Sequence, residues 1–276
     1  MPELPEVETV RRGLEGLVIG KKIVDINLIY QKLIVGDPNE FIEIVKNNYI
    51  TSIDRRGKFL FIRLSNSMTI ISHLRMEGKY SVNSENEMPN KHTEIIFKLD
   101  NQQQIFYDDT RKFGKMQLSK TGFENITVES IDKMGPEPTE TDLSAEYLFN
   151  QLQKSKKEIK AWLLDQSNVA GIGNIYADEI LWLSKIHPLT PANHLNKKDA
   201  STLRNNIIEE LNFAISKRGS TVHSFKSSDG KEGEMQNFLH AYGRKGLKCE
   251  RDGNIMEKIR VAQRGTTFCE VCQRLK

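Results

Sequence analysis

The sequence predicts an α+β protein: an N-terminal antiparallel β-sandwich with one attached helix, then a helical region, then a β-hairpin that gathers the cysteines. Three observations carry this. Short β-branched and aromatic runs, broken by Gly, Asn or Asp, fill the chain from Lys22 to Asp109. After "MGPEPTETD" (Met134–Asp142), which has two prolines and no apolar period, the spacing becomes helical. All three cysteines lie beyond residue 248.

Taken in order, Val7, Val10, Leu14 and Leu17 recur at spacings of three, four and three, one face of a helix. Pro5 suits the first turn, where no partner needs its missing N–H, and Glu6 and Glu8 suit the positive end of the helix dipole. The strand runs are "KIVDINLIY", "YITSID", "KFLFIRLS", "MTIISHLRM", "TEIIFKL" and "QQIFYDD", with Asp100-Asn101 as a turn between the last two. Helices are expected in "SAEYLFNQLQ", "IKAWLLDQ", "NIYADEILWLSKI" and "KDASTLRNNIIEELNFAISKRG". The last of these carries Leu203, Ile207, Leu211 and Ile215 four residues apart and stops at Gly219. Residues 219–237 are polar and glycine-rich without a period, a loop of the kind compact domains keep for function or leave disordered. The expected division is a β-sandwich domain at 1–133, a linker at 134–143, a helical domain at 144–237 and a hairpin at 238–276.

Composition narrows the class. At 276 residues, 38% apolar and 28% charged, this is the balance of a soluble globular protein. No apolar run approaches the ~18 residues a membrane span needs, and the acidic, proline-bearing start does not read as a secretory signal. An odd number of cysteines suits a reducing cytosol and a metal knuckle better than disulfides. The net charge of +3 is unevenly spread. Residues 241–276 hold 9 Lys/Arg against 4 Asp/Glu, while residues 1–240 hold 31 against 33. A basic tail points to a polyanionic partner. No Walker A, H-E-x-x-H or G-x-S-x-G motif is present, which removes support for nucleotide hydrolysis, zinc proteolysis and serine hydrolysis.

Two clusters carry chemistry. At the C-terminus, Cys269 and Cys272 form a C-x2-C knuckle, but its partner knuckle has Cys249 followed by Asp252 where a second cysteine would stand. On spacing alone this is a metal site with an unusual ligand, a decayed site, or three unrelated thiols. At the N-terminus, removal of Met1 would leave Pro2 with a secondary α-amine of pKa near ~7.7–8. Such an amine is partly neutral at cellular pH and can attack an aldehyde carbon to form a Schiff base, with Glu3 beside it to move protons.

"PELPEVETVRRGL" (Pro2–Leu14), "RRGKFL" (Arg55–Leu60), "SHLRMEGKY" (Ser72–Tyr80), "DDTRKFG" (Asp108–Gly114), "VAGIGNIYADEIL" (Val169–Leu181) and "QRGTTFCEVCQ" (Gln263–Gln273) together resemble, in the same order, the bacterial formamidopyrimidine-DNA glycosylase family. The resemblance implies a helix-two-turns-helix domain ending in a zinc hairpin. It also implies a bifunctional glycosylase and abasic-site lyase of base excision repair, acting as a monomer in the bacterial cytoplasm. Its partner would be duplex DNA carrying 8-oxoguanine, formamidopyrimidines or abasic sites.

By the same resemblance, Pro2 attacks C1′ and expels the base to leave an imine. Glu3 assists opening of the sugar ring, Lys58 is the acid/base for β-elimination, and Arg264 holds a phosphate and aids δ-elimination. Met76, Arg111 and Phe113 fill the gap left by the everted nucleotide. His73, His92, Lys156, Asn174 and Tyr176 match positions at the DNA backbone, and Ser220 and Thr221 belong to a lesion-recognition loop at 219–237. One structural zinc is expected on Cys249, Asp252, Cys269 and Cys272. Read alone, Lys58 would be a solvated hairpin charge, and Met76 and Phe113 core residues. Two alternatives stand beside this reading. One is an endonuclease VIII-like enzyme for oxidised pyrimidines, whose start differs from "PELPEVE". The other is a non-catalytic zinc-hairpin DNA-binding protein, against which intact Pro2, Glu3 and Lys58 argue.

Overall fold

The computed structural model describes residues 1–220 and 233–276. Its contacts fall into two compact units, Met1–Asp132 with Lys217–Glu234, and Lys133–Ser216 with Met235–Lys276.

The first unit opens with α1 (Leu4–Val18), followed by β1 (Ile23–Leu28), β2 (Ile34–Val35), α2 (Pro38–Val45), β3 (Ile50–Arg56), β4 (Phe59–Leu64), β5 (Met68–His73), β6 (Lys79–Ser84), β7 (Thr93–Leu99), β8 (Gln103–Asp108), β9 (Lys115–Lys120), α3 (Glu124–Thr127) and α4 (Glu129–Asp132). The strands form a four-stranded sheet, β1-β7-β8-β6, and a five-stranded sheet, β2-β9-β5-β4-β3. Every pairing is antiparallel except the two-residue β2–β9 ladder, which is parallel. The sandwich core takes Ile53, Ile62 and Ile70 from one sheet, Ile95, Phe97 and Ile105 from the other, and Val7, Val10, Leu14 and Val18 from α1. Leu17, expected on the inner face of α1, is 36% exposed, and Val18 fills the position four residues beyond Leu14 instead. Strand β4 is apolar on both faces because Phe59 and Phe61 cover a second small core with Ile71, Val128 and Ile131.

The second unit holds α5 (Ala145–Gln153), α6 (Ile159–Leu164), α7 (Asn174–Leu183), α8 (Lys197–Ser216) and the hairpin β10 (Glu257–Val261) and β11 (Arg264–Phe268). Ser144 caps α5 by accepting the Tyr147 N–H at 3.1 Å. Helix α8 ends at Ser216, and Gly219 lies beyond it at φ +70°. Of the described residues in the 219–237 segment, Gly219, Ser220, Gly233 and Glu234 group with the first unit, and 235–237 with the second. The Ser220 N–H donates to Glu6 of α1 at 2.8 Å. Among the described residues, no helix is long and apolar enough to cross a membrane.

Candidate active site and metal centre

The N-terminal chemistry is built on the start of α1. Pro2 and Glu3 are buried. Glu3 is the N-cap, and its N–H donates to Glu6 Oε2 at 2.8 Å, which satisfies one of the donors that a helix leaves open at its start. Burial pushes the α-amine of Met1 below its usual value. Glu3 and Glu6 oppose that shift, while the Lys58 ammonium adds to it. Lys58 therefore acts electrostatically at the chain end. It sits in the two-residue turn joining β3 and β4, where Gly57 takes φ +53° and Arg56 pairs with Phe59. Although at a hairpin tip, Lys58 is only 6% exposed, so the solvated-charge reading does not hold. His73, at the end of β5, accepts the Arg75 N–H on Nδ1 at 3.0 Å and meets Phe59 edge-on. Burial, then the charges of Arg75 and Lys58, lower its pKa to about 3, so it is a neutral ring.

Met76, Arg111 and Phe113 lie on two tight loops. Gly78 N–H closes the first on Leu74 C=O at 2.9 Å. The second is organised by the fully buried Asp109, whose carboxylate accepts the N–H groups of Arg111 at 3.0 Å and Gly114 at 2.7 Å. Both loops close on one side chain. A Cβ at Gly78 or at Gly114 would run into the Tyr107 hydroxyl, so each needs glycine. Tyr107 is fully buried, and burial raises its hydroxyl well above the usual phenol range. Phe113 is 50% exposed with the Arg111 guanidinium over its ring at 4.9 Å, and Met76 is half-buried. The core reading of Phe113 therefore fails. The carbonyl of the half-buried His92 accepts the Asp109 N–H at 2.9 Å, which ties it to the same loop. Ser220 is buried, while Thr221 lies outside the described residues.

In the second unit, α7 begins at Asn174 behind Gly173, with Gly171 at φ +86°. Asn174 Nδ2 donates to Gly265 C=O at 3.0 Å. Tyr176 is completely buried in the helical core, so it supports the start of α7 instead of lying open at the surface. Lys156 is exposed between α5 and α6. Arg264 is exposed as the first residue of β11, presented by the turn residues Ala262 and Gln263, both at positive φ. A residue the sequence reading passed over is Lys160, fully buried in an ion pair with Asp178. The signal was present, a lysine inside the apolar "IKAWLL" of α6. Such a charge stays buried only when paired.

Cys249, Asp252, Cys269 and Cys272 converge, with one ligand atom from each within 4.8 Å of the others. Unrelated thiols would not gather in this way. Cys249 Sγ and Cys272 Sγ are 3.9 Å apart, and Cys269 Sγ is 3.2 Å from Asp252 Oδ2. Zinc–thiolate bonds of ~2.3 Å give a tetrahedral edge of about 3.8 Å, so the donor set fits one structural zinc. That ion would cross-link the two knuckles of the hairpin.

Comparisons with known proteins agree with this geometry. Residues 1–116 match the formamidopyrimidine-DNA glycosylase N-terminal domain, 134–226 its H2TH domain, and 246–275 a zinc finger found in FPG and IleRS. The chain is 54% identical over 275 residues to formamidopyrimidine-DNA glycosylase of Lactiplantibacillus plantarum, covering 100% of both. It is 52% identical over 276 residues to that of Ligilactobacillus salivarius, again covering 100% of both. A crystal structure of Lactococcus lactis Fpg (MutM) with DNA containing N7-benzyl-Fapy-dG matches at TM-score 0.93 and 42% identity, covering 99% of this chain and 100% of that one. The Lactococcus lactis Fpg complex with abasic-site DNA matches at the same TM-score and identity, covering 99% of each chain. Fold and site define a DNA-lesion-processing protein with a zinc hairpin. The chain belongs to the formamidopyrimidine-DNA glycosylase family.

Proposed function

We propose that this chain is a bifunctional DNA glycosylase and abasic-site lyase of base excision repair. It removes oxidised purines such as 8-oxoguanine and formamidopyrimidines from duplex DNA and then cleaves the strand. Pro2, once Met1 is removed, attacks C1′ of the damaged nucleotide. The C1′–base bond breaks and the base leaves with its electron pair. Glu3 then supplies a proton to O4′ as the C1′–O4′ bond opens, leaving a protonated Schiff base (iminium) on Pro2. Lys58 serves as acid/base for β-elimination, and Arg264 holds a phosphate for δ-elimination. Met76, Arg111 and Phe113 occupy the space the everted nucleotide vacates. His73, His92, Lys156 and Asn174 meet the backbone, and the segment that begins at Ser220 and Thr221 covers the lesion. Asp252 is the fourth ligand of the zinc. The relatives are bacterial proteins, and we place this chain in the bacterial cytosol as a monomer.

The observation that best supports this reading is the chain end itself. Buried Pro2 and Glu3 stand at the start of α1, and the buried Lys58 acts electrostatically on the neighbouring amine. At the Met1 amine, burial outweighs the opposing Glu3 and Glu6 and Lys58 adds to the lowering, so an amine at this chain end is favoured in its neutral, nucleophilic form. The test is borohydride trapping on abasic-site DNA. A covalent adduct located to Pro2 by mass spectrometry is expected, and Pro2→Gly should abolish it while DNA binding persists. A gel shift with no adduct in the parent protein would instead support a non-catalytic DNA-binding protein.

A further inference from the structure

Three residues spaced by four on α7 hold the metal hairpin. Asn174 Nδ2 donates to Gly265 C=O at 3.0 Å. Asp178 Oδ2 accepts the Thr267 N–H at 3.1 Å, while its other oxygen pairs with the buried Lys160. Trp182 Nε1–H donates to Cys249 Sγ at 3.4 Å. Residues four apart share one helix face, so one stripe of α7 meets the hairpin from its tip to its metal ligands. Glu179 adds a further grip, its carboxylate accepting the N–H groups of His240 at 2.7 Å, Ala241 at 2.9 Å and Tyr242 at 2.7 Å.

Trp182 is also held on both faces. His240 stacks on it at 4.5 Å with an interplanar angle of 11°, and the Arg251 guanidinium lies 3.5 Å from its ring centroid. Arg251, between the ligands Cys249 and Asp252, donates to the carbonyls of Trp182 and Leu183, and its Nη1 lies 3.8 Å from Cys272 Sγ. Three thiolates and a carboxylate around a divalent ion leave an excess of negative charge in a partly buried place. Donors to the sulfurs offset that charge, and groups of this kind tune metal affinity.

From this geometry we infer that Trp182 is a positioning residue of the metal centre: its indole N–H stabilises the Cys249 thiolate and couples metal occupancy to α7. This rests on the zinc reading of the hairpin. Arg251 has the same role toward Cys272.

Zinc content of the purified wild type tests the zinc reading, and close to one equivalent is expected. Trp182→Phe keeps an aromatic ring between His240 and Arg251 but removes the donor. It should hold zinc about tenfold more weakly in competition with a chromophoric chelator. In the cobalt-substituted variant, the thiolate-to-metal charge-transfer band should move to longer wavelength, because an unbonded thiolate gives up charge more readily. Packing alone would not shift that band. The wild type offers a second measurement that needs no variant. Removing zinc should change Trp182 emission in step with the loss of metal. A wild type with zinc bound, paired with a Trp182→Phe variant of unaltered zinc affinity and cobalt spectrum, would overturn the inference alone. So would emission indifferent to zinc removal. A metal-free wild type that binds DNA normally would overturn the zinc reading and this inference with it.

Discussion

Glu6 accepts the backbone N–H of Ser220 at 2.8 Å across 214 positions of sequence, and its second oxygen accepts the Glu3 N–H at 2.8 Å. One carboxylate therefore fastens both the beginning of the 219–237 segment and the helix start that follows Pro2. A glutamine here has one acceptor oxygen for two donors and would leave a buried N–H without a partner, a loss of ~1–3 kcal/mol. Glu6→Gln is expected to slow 8-oxoguanine excision about tenfold or more, an effect of roughly 1.4 kcal/mol or above on the barrier. Nicking of a pre-formed abasic site should fall less. Single-turnover assays on the two substrates check this, and equal losses would show that Glu6 serves the fold alone.

Lys58→Ala is expected to slow strand cleavage at a pre-formed abasic site by about a hundredfold or more, the usual scale for a removed acid/base group. The borohydride adduct should survive, because on the proposed mechanism the Schiff base belongs to Pro2. Paired nicking and trapping assays decide this. Loss of the adduct together with nicking would make Lys58 the nucleophile.

Glu210 on α8 gives a pH-dependent stability. Burial, then the nearby Glu179, raises its pKa from 4.5 to about 8, and its Oε1 has no hydrogen-bond partner among the described residues. The unfolded chain gives up this proton near 4.5, whereas the folded chain holds it until about 8. The contribution to stability is thus complete below the unfolded value and is lost as pH rises through the folded one. Glu210→Gln should flatten the decline in melting temperature between about pH 5 and pH 8. Thermal unfolding of both proteins across that window is the measurement, and parallel curves would contradict it.

Asp252→Cys should make the metal harder to strip, because a soft thiolate replaces a hard carboxylate oxygen around zinc. Asp252→Ala should release it more readily, and chelation of the parent protein should abolish DNA binding. Structural zinc sites of this size supply ~10–16 kcal/mol, so a weakened one can still fold its hairpin. Chelator competition with metal analysis ranks the three proteins. An Asp252→Ala variant as retentive as the parent would remove Asp252 from the ligand set.

Much of this was legible because the period is strong where burial is one-sided. Six strand runs and four helical runs follow from spacing. What escaped has weak spacing. β6 ("KYSVNS") and β9 ("KMQLSK") are polar strands placed by their neighbours, and α2 is eight residues opened by Asp37 and Pro38. The chemistry at the chain end was legible only in outline, since "MPE" is common and the burial of Lys58 depends on tertiary packing. Leu17 failed for a different reason. Spacing identifies a face of a helix but not where along the helix that face stops being covered. The Glu6–Ser220, Asp178–Thr267 and Trp182–Cys249 contacts had no sequence signal, because each joins residues more than sixty positions apart.

The Tyr107 ring, wedged against Gly78 and Gly114, has a consequence for anyone redesigning this protein. The turn carrying Met76 and the turn carrying Arg111 and Phe113 are walls of a single socket, so neither is an exchangeable cassette. A chimera that imports one turn from a distant relative with any side chain at its closing glycine would displace the ring and thereby deform the other turn. Selections for altered Met76, Arg111 or Phe113 turns should accordingly recover paired changes across the two turns, or none in either glycine.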